Sequence, residues 1–347
     1  MKKFANHRAS RGVDCMRRGI AAAMLVPFMG LVGTLAAPTL AVAADDAATY
    51  PTRVVTIVVP FPAGGATDIT GRLLAEGLSK KWGQSVVVEN RPGAGGNLGS
   101  EVVARAAPDG YSIILGVTGS HGINTSLYSN MRYHPLKDFE PVTQATLYPN
   151  AVVVNNEVPA NNLQELIALL KADPGKYSYG SDGNGTASHL GMEMLRSKGH
   201  FPIAHIPYRG STPMITDLIG GQIQVGITGL PAVQAYVKSG KLKMIAVTTA
   251  ERFPSTPDYP TVAEQGFPGF SAPPWSGFFV PKGTPKPIID KLSADMRSVM
   301  EQPETKAKML AAGSEFTPST PEQFRAFVDS EITKWAEAVK ISGAKVD

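Results

Sequence analysis

Two strand-to-helix junctions constrain what this chain can fold into more than any other feature. Residues 54–59 (VVTIVV) form an almost unbroken apolar run, the pattern of a strand covered on both faces of its sheet. Pro60-Phe61-Pro62-Ala63-Gly64-Gly65 breaks the run, and Asp68 opens a helical stripe through Ile69, Leu73, Leu74, Leu78 and Trp82. The same arrangement returns later: residues 177–180 read as a strand, 181–188 as a Gly-rich loop and 189–198 as a helix. A strand-to-helix turn presents backbone N–H groups at the positive end of the helix. Glycine lets that backbone come close to a ligand. Such a turn holds carboxylate or phosphate without any fixed positive charge. One turn of this kind is ordinary; two in corresponding places suggest a clamp.

The rest of the chain supports a doubled α/β pattern. Strands are expected at 85–89, 112–116, 139–142, 151–154, 204–207, 223–227 and 243–248. Asn162 caps a helix carrying Leu163, Leu166, Ile167 and Leu170, which Asp173-Pro174-Gly175 stops. Further helices are expected at 213–219 and 230–239. At the C-terminus, Thr320-Pro321-Glu322-Gln323 has capping-box form, and Phe324, Phe327, Val328, Ile332, Trp335 and Val339 continue one apolar stripe toward Gly343. Alternating strands and helices predict an α/β, two-lobed molecule, each lobe a mostly parallel sheet flanked by helices. The expected bounds are 44–149 plus 270–347 for the first lobe and 150–269 for the second. A cleft should lie between the lobes, at the C-terminal ends of the strands.

Charge refines the picture. The chain has 347 residues, 33 Lys+Arg against 29 Asp+Glu, and a pI near 9.0. Six of the basic residues (Lys2, Lys3, Arg8, Arg11, Arg17, Arg18) precede an uncharged stretch at 19–40 that ends in Ala41-Val42-Ala43. That order predicts a cleavable secretory signal at 1–43 and a periplasmic protein. The remaining 304 residues carry 27 basic and 28 acidic side chains and no cysteine, since Cys15 leaves with the leader. A thiol-free chain suits an oxidising compartment. Without a net basic charge, nucleic acid is not an expected partner.

Catalytic and cofactor motifs are incomplete. The Gly-rich segments at 90–97 and 182–186 fall short of G-x-G-x-x-G, because Leu98 and Ser188 stand where the third glycine would. There is no P-loop and no G-x-S-x-G elbow. After residue 43 the histidines are His121, His134, His189, His200 and His205, without H-x-x-x-H spacing. No catalytic residue, metal or cofactor is expected.

The mature sequence is similar to the Bug-type extracytoplasmic solute receptors of tripartite tricarboxylate transporters. The resemblance runs from Tyr50-Pro51 to the last helix. It is carried by Val59-Pro60-Phe61-Pro62-Ala63-Gly64-Gly65 with Asp68, by Val88-Glu89-Asn90-Arg91-Pro92-Gly93-Ala94-Gly95-Gly96 and by Pro108-Asp109-Gly110-Tyr111. Pro207-Tyr208-Arg209-Gly210, Asp217-Leu218-Ile219-Gly220-Gly221, Pro260-Thr261-Val262-Ala263-Glu264 and Trp275-Ser276-Gly277 complete it. It implies a Venus-flytrap, periplasmic-binding-protein fold with a carboxylate held between the loops at 60–68 and 181–189, and the segment at 90–96 as a structural turn. The implied partners are a small organic carboxylate (di- or tricarboxylate, amino acid or aromatic acid) and the membrane subunits of a secondary transporter. The same cleft would also serve a receptor that presents its solute to a membrane sensor kinase. An exported hydrolase is the remaining alternative.

By position, Phe61 is expected as an apolar wall and Ala63, Gly64 and Gly65 as backbone donors. Asp68 is placed in the site, chiefly as the residue that caps its helix and holds the loop. Thr118 and Ser120 are candidate hydroxyl donors. In the second lobe the candidates are Ser181, Asn184, Thr186, Ser188, His189, Tyr208 and Thr228, with His189 equally readable as a buried structural histidine. Asp182 puts a negative charge beside a carboxylate site. It either points away or favours a ligand carrying an amine or amide.

Overall fold

A computed structural model describes residues 47–254 and 257–346. The leader expected at 1–43 lies outside the described residues.

The apolar run becomes β1 (Val55–Val59), an inner strand paired in parallel with both β2 (Val86–Asn90) and β3 (Ser112–Val117). Its burial on both faces explains why the sequence there does not alternate. Helix α1 (Ala66–Trp82) follows and stops at Gly83, whose φ of 65° suits glycine. After β2 and the Gly-rich segment comes α2 (Asn97–Ala104), a helix absent from the sequence expectations. A wide helical turn at Gly119–Ile123 and the short α3 (Asn124–Leu127) follow β3.

Strand β4 (Phe139–Leu147) then leaves this sheet, and after two residues β5 (Asn150–Asn155) enters a second one. The second array holds α4 (Leu163–Ala172), β6 (Ser178–Ser181), α5 (Ala187–Gly199) and β7 (Ala204–Pro207). It continues with α6 (Ser211–Ile219), β8 (Val225–Gly229), α7 (Leu230–Lys238) and β9 (Leu242–Val247). The chain returns as β10 (Trp275–Pro281), followed by α8 (Lys286–Met300), α9 (Pro303–Ala311), β11 (Glu315–Phe316) and α10 (Pro321–Ser342).

The first sheet has the order β11-β4-β10-β3-β1-β2 and the second β7-β6-β8-β5-β9. The two-lobed α/β fold is as expected, but the sheets are mixed rather than mostly parallel. Strands β4 and β10 run antiparallel to their neighbours in the first sheet, and β5 does so in the second. Of these, β5 and β10 are the strands that enter a sheet from the other lobe, and they run against its βα units, whereas β4 runs in the same direction as β1–β3 because both it and β3 are antiparallel to β10. Strand β10 escaped sequence reading because it is buried throughout and shows no alternation.

Helix α10 spans both lobes. Phe324 and Val328 pack with Trp275 and Phe279 of the first lobe, while Trp335 and Val339 join Leu190, Leu195 and Ile227 of the second. Its capping box is formed as the sequence predicts: Gln323 N–H donates to Thr320 Oγ1, and Thr320 N–H donates to Gln323 Oε1. Glu331, 5% exposed, accepts from the indole N–H groups of both Trp275 and Trp335 at 2.8 Å. One buried carboxylate thus locks the returning strand to the helix that straps the lobes.

Candidate ligand-binding site

The two Gly-rich junctions face a shared cleft of about 620 Å³. From the first lobe it takes Phe61, Ala66, Thr118 and Trp275, and from the second Asp182, Asn184, Thr186, Ser188 and Thr228. The first turns of α1 and α5 contribute Ala66 and Ala187, so the free N–H groups at two helix starts lie at its wall. Among the lining residues Asp182 is the only charged side chain.

The first loop is held from behind. Asp68 is buried at position three of α1 and accepts from the Gly64 N–H, Arg72 Nε and Asn90 Nδ2, each at 2.9 Å. Chiefly through the Arg72 hydrogen bond, against the opposing effect of burial, its carboxyl is drawn down to about 2. Asn90 also donates to the Phe61 carbonyl at 3.0 Å, so the segment after β2 braces the loop. Phe61 lines the cleft as expected. Ala63, Gly64 and Gly65 are exposed and do not line it, and the Gly64 N–H is already bound to Asp68. The helix starts one residue later than the expected donors, which moves the cleft wall to Ala66. Asp68 sits behind the loop rather than in the cleft.

At the end of β3, Thr118 reaches the cleft but its hydroxyl is occupied. It accepts from the Trp275 N–H at 2.7 Å and donates to the Trp275 carbonyl at 3.1 Å. Ser120 is fully buried, pairs with His121 Nδ1 at 2.9 Å and accepts from the Val117 N–H. It turns inward because the wide helical turn rotates it away from the strand end, so it is not a cleft donor.

In the second loop Thr186 is the N-cap of α5, accepting from the His189 N–H and donating to the Gly183 carbonyl at 2.7 Å. Ser188 Oγ lies 2.9 Å from Thr186 Oγ1 and accepts from the Asp182 N–H at 3.1 Å. His189 does not line the cleft: its Nδ1 accepts the Gly185 N–H at 3.0 Å, and its ring stacks on His205 with centroids 4.0 Å apart. Burial lowers its proton affinity. Ser181 is buried, 2.7 Å from His205 Nε2, and is not a cleft residue. Tyr208 donates to Asp217 at 2.8 Å and also lies off the cleft. Thr228 lines the cleft and donates to Asp182 Oδ1 at 2.6 Å.

Sequence reading missed the crossing segment. Tyr148 and Asn150, between and at the start of the strands that join the lobes, line the cleft. Asn150 is 1% exposed, and its side-chain N–H₂ has no hydrogen-bond partner among the described residues. Burial, and after it the Asp182 charge, pushes the Tyr148 phenol up to about 12. The only sequence signal there was the short gap between two strands belonging to different sheets.

The chain matches the Tripartite tricarboxylate transporter family receptor over residues 70–343. It is 35% identical to Protein BugT of Bordetella pertussis over 319 residues, 92% of this chain and 98% of that protein. Among solved structures, the periplasmic binding protein BugD is 39% identical with a TM-score of 0.71, covering 85% of this chain and 99% of that one. An R. palustris protein solved with adipate is 35% identical with a TM-score of 0.75, covering 85% and 99%. MatC from Rhodopseudomonas palustris, with bound malate, is 32% identical with a TM-score of 0.71, covering 84% and 100%. With this fold, two-loop cleft and similarity along its described length, the chain belongs to the receptor family of tripartite tricarboxylate transporters.

Proposed function

We propose that this chain is a periplasmic receptor that captures a small organic carboxylate between its lobes and delivers it to the membrane subunits of a tripartite tricarboxylate-type transporter. Residues 1–43 direct export and are removed. Residues 44–149 with 270–347 form one lobe and 150–269 the other, with α10 strapping them together. The observation that carries this reading is the cleft itself: two helix starts and a buried Asn150 amide meet in a space where, among the described residues, the amide N–H₂ has no partner and no cationic side chain lines the wall. A carboxylate there would be bound by aimed N–H groups, and closure would strengthen those bonds by excluding water. The hydroxyls of Thr186 and Ser188 pair with each other and, among the described residues, no histidine or lysine side chain is hydrogen-bonded to them, which favours binding over catalysis. Related proteins solved with adipate and malate support the ligand class.

The test is a thermal-shift and calorimetry panel of mono-, di- and tricarboxylates, amino acids and aromatic acids on the exported protein. At least one acid should give saturable stabilisation and be recovered chemically unchanged. If none raises the melting temperature, the reading fails.

A further inference from the structure

We propose that Asp182 makes this cleft selective for a carboxylic acid that also carries an ammonium group, with the ligand's carboxylate at the helix starts and its cation on Asp182. The inference rests on the receptor reading above and narrows its ligand class.

The argument begins with charge balance. The cleft contains two helix N-termini, which attract an anion, and one carboxylate, which repels it. No lysine or arginine lines the space, and Asp182 has no salt-bridge partner among the described residues. Its neighbours are neutral: Thr228 donates to Oδ1 at 2.6 Å, and the Ser188 hydroxyl also supports the carboxyl. Burial opposes that support and raises the carboxyl's proton affinity. An ordered, uncompensated carboxylate in a closing cleft is costly unless the ligand supplies the opposite charge. A plain di- or tricarboxylate would add repulsion. A zwitterion satisfies both ends at once.

The surrounding groups agree. The Thr228 hydroxyl fixes the orientation of Asp182, so the acid is positioned rather than mobile. Asn150 brings an unpaired, buried N–H₂ donor to the same cleft, where the ligand's carboxylate would accept it. Donors for the anion and an acceptor for the cation are therefore separate groups along one cleft.

Matched acids that differ only by an amino group provide the test: succinate and aspartate, glutarate and glutamate, adipate and 2-aminoadipate, propionate and β-alanine. Calorimetry should find an amino member of at least one pair bound about tenfold or more tighter than its plain partner. Asp182→Asn should remove that preference while leaving the plain acid bound equally or better. Asp182→Ser serves as a second neutral variant if the first fails to fold, with circular dichroism as the check. A plain acid bound as tightly as its amino partner overturns the inference and leaves the receptor reading intact. An amino preference that survives in both neutral variants overturns the role of Asp182. Absence of binding by every acid overturns the receptor reading, and this inference with it.

Discussion

Asn184 Nδ2 donates to the backbone carbonyl of Lys345 at 2.7 Å, fastening the tip of the second-lobe loop to the C-terminal tail. Val346 next to it lines the cleft. A residue that sequence position assigns to the ligand is therefore held by the chain's own end. Asn184→Ala should change ligand affinity by no more than about threefold, since it removes one exposed hydrogen bond to the tail. Thr186→Ala removes the N-cap of α5, a loss of about 1 kcal/mol, and should lower the melting temperature by about 2–4 °C. Calorimetry and thermal melts on the two variants check both. A large affinity loss in Asn184→Ala alone would mean the side chain leaves Lys345 for the ligand.

Gly185 stands where the two lobes approach. Its φ is 74°, and a Cβ there would meet Leu127 Cδ2 of the first lobe at 2.3 Å. Gly185→Ala should strain the loop and hold the lobes apart, weakening ligand binding by about tenfold or more. Adding Leu127→Ala should restore part of the affinity, because it removes the clash but not the strain. A double-mutant cycle read by calorimetry separates the two. Additive losses would show that Leu127 does not limit closure.

Glu331 receives two indole N–H donors and an ion pair from Lys334 while almost fully buried. Glu331→Ala would leave both indoles without an acceptor and should cost about 3–5 kcal/mol. Glu331→Gln keeps an acceptor oxygen and should lose distinctly less. Urea denaturation midpoints give the comparison. Equal losses in the two variants would refute the shared-acceptor role.

Asp68 sets an acid limit on the first loop. Its folded pKa, about 2, lies below the ordinary value of 3.8. Ionised Asp68 therefore stabilises the folded state above about pH 4, and that contribution is lost as pH falls toward about 2. Asp68→Asn should lower the melting temperature at neutral pH, and the gap to the unaltered protein should close between those two pH values. A gap that stays constant down to pH 2 would contradict the assignment.

The particular failures of sequence reading share one cause. Ala63, Gly64 and Gly65 lie in the strand-to-helix junction, but the helix begins at Ala66 and Asp68 captures the Gly64 N–H. Thr118 reaches the cleft with its hydroxyl already shared with Trp275, 157 residues away in sequence. Ser181, Ser120 and Tyr208 carry suitable chemistry, but His205, His121 and Asp217 hold them off the cleft. Side-chain chemistry is local and can be read along the chain; its hydrogen-bond partner usually cannot.

The sequence by itself determined the α/β alternation, the two junctions, the capped last helix and the expectation that anion binding must come from backbone dipoles rather than net charge. These follow from apolar periodicity, turn chemistry and residue counts, which are local or additive. Tertiary structure decided which strands run antiparallel, that α10 ties both lobes through Glu331, and which donors remain free in the cleft. It also brought Asn150 and Asp182 to the same space from different strand ends. Those outcomes depend on pairings between distant residues, and such pairings exist only once the chain has closed on itself.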